Sequence, residues 1–421
     1  MPPDRRDDAA AAAAAAQRAH WGRVLAGTLR LARDVDIAEE ATADAFMLAL
    51  QTWPERGIPD SVEAWLLTTA RRRAIDKIRR AASLRARLVL LAAVDESTAG
   101  GADESIGGPA VSDDDLRLVV LCCHPALAVE TQVALTMRLA CGVPTASIAS
   151  AFLVPEATMA ARLTRAKRRV AESGVGIDLP DDLAVEERMP AVRRTIHLAY
   201  TMGHTAGSGV DLRHGELAAH AMRLGRALHV LRPDDTEAAG LLALILLTEA
   251  RSAGRIDTDG HQVLLPDVDR RRWDPALLAE GLALASTLPR RPGPLTLQAA
   301  IAAEHARAIS FETTDWAAIV AHYDALLSLE PSATIALGRC IALSYLRGAE
   351  AGLIDLDEVI EVGGLDAYPY ARAARADLLE RLGRWPEAAN EWATAAAVGR
   401  SDAEREYFTR RARTGRRDQP A

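Results

Sequence analysis

The sequence predicts an all-α protein. Alanine, leucine and arginine dominate while aromatic residues make up only 4% of the chain, a composition that favours helices over strand-rich sandwiches. Apolar positions also recur at near-helical spacing along most of the chain, as in Val24, Leu25, Leu29, Ile37, Phe46 and Leu50. With 421 residues the chain is long enough for two to four domains, each with its own core.

The elements follow in order. Residues 1–16, with their run of alanines from Ala9 to Ala16, are expected as a disordered tail. Residues 17–90 read as three or four helices interrupted by a loop from Trp53 to Asp60, where Pro54, Gly57 and Pro59 oppose helix continuation. Residues 91–115 hold Gly100, Gly101, Gly107, Gly108 and several acids but no base, and are expected as a flexible acidic linker. Helical patterning resumes over 116–175. A separate helical block is expected over 184–290, broken by a turn or hairpin at Ile256–Leu265 around Asp259-Gly260. From 295 to 412 the pattern suggests paired helices about 34 residues apart, close to the tetratricopeptide period.

Composition also excludes classes. No run of about 18 apolar residues is present. The start, Asp4, Arg5, Arg6, Asp7 and Asp8 ahead of the alanines, lacks the basic-then-apolar plan of a signal peptide. A cytoplasmic protein without membrane engagement is therefore expected. Cys122, Cys123, Cys141 and Cys340 form no CxxC pair or finger spacing, so they read as reduced core residues rather than disulfides or a zinc site. His197, His204, His214, His220 and His229 lack an HExxH frame or a placed carboxylate companion. Asp257, Asp259, Asp267 and Asp269 lack a calcium-loop pattern. No metal, cofactor or catalytic group is expected, and no nucleophile elbow, phosphate loop or carboxylate pair suggests an enzyme.

The net charge of -8 conceals an uneven distribution. Residues 1–180 carry 22 bases against 23 acids, which leaves nearly all the net negative charge to residues 181–421, and the first part concentrates its bases in two clusters. The first is Arg71, Arg72, Arg73, Lys77, Arg79 and Arg80, on a helix beginning near Ser61 whose apolar positions include Trp65, Leu66, Ile75 and Ile78. A solvated face would explain such a run blandly, but six bases against the single acid Asp76 suit a polyanion. The second is Arg162, Arg165, Lys167, Arg168 and Arg169. It follows a helix-turn-helix pattern in which Thr145 opens a short helix, Leu153-Val154 turns, and Pro155 starts a second helix. Ile148, Phe152, Met159, Leu163 and Val170 would pack inward. Glu156, Thr158, Ala161, Arg162 and Arg165 would then face a major groove, with Lys167, Arg168 and Arg169 near phosphates.

Ile37 to Phe46 (IAEEATADAF) followed by Ala64 to Asp76 (AWLLTTARRRAID) resembles sigma region two, and Ala146 to Met159 (ASIASAFLVPEATM) with Arg162 to Arg169 (RLTRAKRR) resembles sigma region four. The order and spacing are those of RNA polymerase sigma factors of the extracytoplasmic-function type. The segments Leu241 to Leu244, Arg255 to Asp257 and Leu264 to Asp274 are similar to the subgroup with a long helical, tetratricopeptide-like extension. The resemblance implies that Glu39, Glu40 and Asp44 dock on the clamp helices of the largest polymerase subunit and that region four meets the flap of the second-largest. It implies that Trp53, Arg56, Arg71, Arg72, Arg73 and Lys77 serve the minus-ten element, where Ile58 is a further candidate. It implies that the helix-turn-helix reads minus-thirty-five promoter DNA, that the linker threads the RNA exit path, and that the extension answers to a protein or small-molecule regulator. The chain departs from the family at Ala43, where glutamine is frequent, and at Arg72, where asparagine is common. The rival expectation is a helix-turn-helix regulator with a repeat sensor that is not a sigma factor; it needs no region-two module.

Overall fold

The structure is a computed structural model. It describes residues 5–91, 114–152, 154–172, 182–205, 212–254, 263, 265–287, 289, 292–399 and 402–417, which are helical throughout apart from turns and short connections. The expected acidic linker lies outside them except at its ends, as do most of the expected hairpin at 256–265 and Asp257 and Asp259. The chain divides into two compact units, with the main boundary between Leu231 and Arg232, inside the block expected over 184–290.

The first unit opens with α1 (Arg5–Ala32), α2 (Val35–Arg56) and α3 (Val62–Leu91). Asp34 starts α2 by accepting a hydrogen bond from the backbone N–H of Ile37 at 3.0 Å. The three helices enclose Trp21, Val24, Phe46, Ala49, Trp53, Leu66 and Ala70, and Trp21 stacks on Phe46 with ring centroids 5.6 Å apart. The expected disordered tail is corrected: α1 begins at Arg5, and Ala9, Ala13 and Ala16 are buried in this same cluster. Alanine is the strongest helix former, and its small side chain at spacings of three and four lets one face approach closely. The expected loop from Trp53 is shorter too, since α2 carries Pro54 in its last turn and ends at Arg56. Gly57 then adopts a φ of 82°, a region that glycine enters without steric cost.

Next come α4 (Asp114–Cys122), α5 (Val129–Leu139), α6 (Thr145–Ala151) and α7 (Glu156–Glu172), followed by α8 (Asp182–Thr205) and α9 (Leu212–Leu231). Helix α8 packs on α4 and α5. Arg188, only 5% exposed, donates to the carbonyl of Val120 at 3.2 Å, and the thiol of Cys123 lies 3.4 Å from the hydroxyl of Thr195. Burial pushes the Cys123 thiol up to about 12, in keeping with a reduced core cysteine.

The second unit contains α10 (Thr236–Ala250), α11 (Pro275–Ser286), α12 (Pro294–Arg307), α13 (Trp316–Leu329), α14 (Ala333–Arg347), α15 (Ala349–Gly363), α16 (Pro369–Arg381), α17 (Trp385–Val398) and α18 (Asp402–Arg417). Asp235, Asp274 and Asp315 cap α10, α11 and α13. Glu237 accepts hydrogen bonds from the N–H groups of Leu295 and Thr296 and so caps α12 from a neighbouring helix. Helices α13, α15 and α17 begin at Trp316, Ala349 and Trp385, steps of roughly 34 residues. Ion pairs follow the same rhythm. Arg339 of α14 bridges Asp324 and Asp355 at 2.5 and 2.9 Å, and Arg375 of α16 bridges Asp357 and Glu391 at 2.7 and 2.8 Å. These are degenerate tetratricopeptide-like helix pairs, each burying its apolar face on the next.

Candidate polymerase and nucleic-acid interfaces

Helix α3 buries Leu66, Ala70 and Ala74, one turn apart. That fixes the opposite faces, and Arg71, Arg72, Arg73, Arg79 and Arg80 are all exposed, as is Arg56 at the end of α2. Lys77 is different. Its side chain is 21% exposed, and its ammonium lies 2.7 Å from Glu40 and 3.0 Å from Asp44. Burial works against its charge, but the two carboxylates more than offset this and hold its pKa above the usual lysine value. Trp53, expected to meet the minus-ten strand, is instead a core residue. It is 3% exposed and packs edge-on against Trp65 at 5.6 Å, because its position on α2 falls on the inward stripe of Phe46 and Ala49. Ile58, on the short loop that follows, is 47% exposed.

In α7 the inward stripe is Met159, Leu163, Ala166 and Val170, all buried. Glu156, Thr158, Ala161, Arg165, Arg168 and Arg169 are exposed and Arg162 is half-buried. Helix α6 packs against α7, and its Ile148 is fully buried. Pro155 accepts the first helical hydrogen bonds of α7, from the N–H groups of Thr158 and Met159. Its fixed φ favours this entry turn.

The two modules meet within this unit. Trp21 donates its indole N–H to the carbonyl of Leu139 at 3.1 Å, and Gly142, with φ of 65°, lies so close that an added Cβ would stand 2.7 Å from the Trp21 ring. Glu39 was expected on a docking surface for polymerase. The structure corrects this: Glu39 is 8% exposed, and its carboxylate lies 2.6 Å from Nε of Arg138 and 3.1 Å from Nζ of Lys167. Lys167, expected to face DNA phosphates, also pairs with Asp36. Burial opposes its charge, but Asp36 and Glu39 outweigh that and keep its pKa raised. Sequence reasoning missed Arg138 and Asp36. A partner 99 residues away along the chain leaves no periodic trace. It also missed Met47 and Leu50, exposed at 56% and 44%, although Met47 falls on the same face of α2 as Glu40 and Asp44 by helical spacing.

Comparison with known proteins agrees with this geometry. Sigma-70 region 2 matches residues 17–84, Sigma-70 region 4 matches residues 117–170, and a family of unknown function (DUF6596) matches residues 188–308. The helical modules carrying the two basic faces are thus those of transcription initiation factors. The chain belongs to the sigma-70 family, as a sigma factor of the extracytoplasmic-function type with a long C-terminal helical extension. An uncharacterized protein of Rhizobium meliloti (strain 1021) is 40% identical over 390 residues, covering 92% of each chain. Among solved structures, yeast Tom70 aligns over 91% of this chain and 81% of its own, at 12% identity and a TM-score of 0.34. Among the described residues no helix is long and apolar enough to cross a membrane.

Proposed function

We propose that the chain binds core RNA polymerase and directs promoter-specific initiation, with α2 docking on the clamp helices of the largest subunit. Glu40, Asp44 and Met47 would form that contact, an acidic face with an apolar residue at its edge. The exposed Arg71, Arg72 and Arg73 would hold the minus-ten duplex edge, while Arg56 and Ile58 face the displaced strand. The exposed face of α7 would read the minus-thirty-five element, Glu156, Thr158 and Ala161 nearest the bases and Arg162, Arg165, Arg168 and Arg169 nearest phosphates. The observation that carries this is the division of α7 into a fully buried apolar stripe and an exposed basic face, the arrangement a recognition helix requires.

The pairing of Glu39 with Arg138 and Lys167 supports a further element. In this closed arrangement Lys167 is engaged by acids rather than available to phosphate, so full promoter contact requires the two modules to separate. The extension would regulate that step. The test is run-off transcription with purified core polymerase on a pooled promoter library, comparing the full chain with a truncation after Leu231 that keeps α8 and α9. Promoter-specific transcripts from either form support the sigma reading, and the difference between the two gives the sign of the extension's effect. If neither initiates while both bind duplex DNA, the chain acts as a helix-turn-helix regulator instead.

A further inference from the structure

Helix α7 offers solvent two kinds of surface. Opposite its buried residues Met159, Leu163, Ala166 and Val170, half a turn round the helix, stand Ala157, Ala161 and Thr164, spaced four and three apart and all exposed. Ala160, also exposed, adjoins them. The basic residues lie to one side or farther along: Arg162 is half-buried, Arg165 is exposed on the flank, and Arg168 and Arg169 follow toward the end of the helix. Thr164 belongs with the apolar set, because its hydroxyl donates to the carbonyl of Ala160 at 3.0 Å. With that hydroxyl engaged by the helix itself, the group Thr164 offers outward is its γ-methyl.

A helix seated in the major groove places the middle of its outward face deepest, so these methyl groups meet the base edges. The donor and acceptor code of the groove then restricts what α7 can read there. Arginine or lysine suits guanine, and asparagine or glutamine suits adenine. The first basic residue of α7 is Arg162, however, and the helix holds no asparagine or glutamine. Among the four bases thymine alone shows the groove a carbon substituent, its 5-methyl group, and small methyl-bearing side chains pack against it.

We propose that α7 selects its minus-thirty-five duplex through thymine 5-methyl groups packed against Ala157, Ala161 and the γ-methyl of Thr164, with Arg165 holding an adjoining phosphate. The inference rests on the reading of α7 as the recognition helix and adds the base chemistry that it recognises. Contact of this kind requires the methyl group itself, so it distinguishes thymine from uracil, which differs by that one carbon. No phosphate contact changes with it.

The test selects duplexes from a random pool with the full chain, then measures fluorescence anisotropy on the selected duplex with each thymine replaced in turn by deoxyuridine. The replacement leaves base pairing and backbone charge as they were. At one or more positions it should weaken binding about fourfold, the contribution of one buried methyl-sized group, with the slope of log affinity against log salt unchanged. Thr164→Ser removes the outward methyl and keeps the hydroxyl that bonds Ala160. It should bind the thymine duplex less tightly and make one of those positions indifferent to uracil. Ala161→Gly should do the same at a neighbouring position; if circular dichroism shows that it fails to fold, Thr164→Ser decides alone. Affinity within about twofold of the parent duplex at every uracil position would overturn the proposal, as would a selected duplex without thymine. A uracil effect of full size at every position in the folded variants would also overturn it, since DNA shape rather than methyl contact would then be what is read. In all three cases a defined selected sequence still supports the recognition helix. If the pool shows no sequence preference at all, the recognition-helix reading fails and the proposal falls with it.

Discussion

Replacing Glu39 by Gln should open the first unit and strengthen DNA binding. The carboxylate of Glu39 is 11% exposed and sits between Arg138 and Lys167, whose side chains are 26% and 17% exposed. A charge-assisted hydrogen bond contributes about 1.5–3 kcal/mol, and the partial exposure of the two cations argues for the lower end. Lys167 keeps Asp36, so the substitution should remove about 2 kcal/mol from the packing of the two modules. That shifts the closed-to-open balance by roughly thirtyfold. Fluorescence anisotropy with a minus-thirty-five duplex over a salt titration measures the result. If the closed arrangement limits binding, Glu39→Gln should bind more tightly, by up to that factor, and the slope of log affinity against log salt should steepen by about 0.9 as separation of the modules releases Lys167 from Asp36 as well and lets it meet a phosphate. Thermal melts would confirm that the variant is folded. An affinity and a slope both equal to those of the parent chain would refute the idea that the Glu39 pairing masks Lys167.

Other perturbations should behave differently. Arg165→Ala, on the exposed face of α7, should weaken minus-thirty-five binding and lower the salt slope by about one for the lost phosphate contact, without shifting the melting temperature; anisotropy checks the first and calorimetry the second. Trp53→Ala should destabilise the first unit by about 3–5 kcal/mol, the usual loss for a large aromatic removed from a packed core, measured by denaturant unfolding; a variant that melts normally but loses only minus-ten binding would restore Trp53 to the DNA surface. His220 is 6% exposed, and burial with the neighbouring Arg223 holds its pKa down to about 3. Between about pH 6.5 and that value the unfolded chain binds a proton that the folded chain does not, so stability contributed by the neutral ring is present above about pH 6.5 and is lost as pH falls, by up to about 1.4 kcal/mol per unit. Unfolding midpoints of His220→Gln measured across this range should show a shallower acid dependence than the parent chain.

Helical class, the order of the two basic helices and the two faces of α7 were all legible in the sequence. Each follows from local rules, in which spacing of three and four residues places Met159, Leu163, Ala166 and Val170 on one side and Arg165, Arg168 and Arg169 elsewhere. The period of the extension was legible for the same reason, while the arginine bridges at Arg339 and Arg375 that accompany it emerged only in three dimensions. Periodicity could not tell that Trp53 turns inward, because proline and glycine just beyond it suggested an earlier end to α2 than its packing against Trp65 allows. Nor could it tell that Ala9, Ala13 and Ala16 belong to a core, since an alanine run is equally compatible with an exposed helix or a tail until an opposing surface is known. The pairing of Glu39 with Arg138 and Lys167 and the joining of α8 to α4 and α5 both depend on residues distant in sequence. Such contacts are set by how whole helices pack, and packing is decided by the fit of complete surfaces rather than by any pattern within one of them.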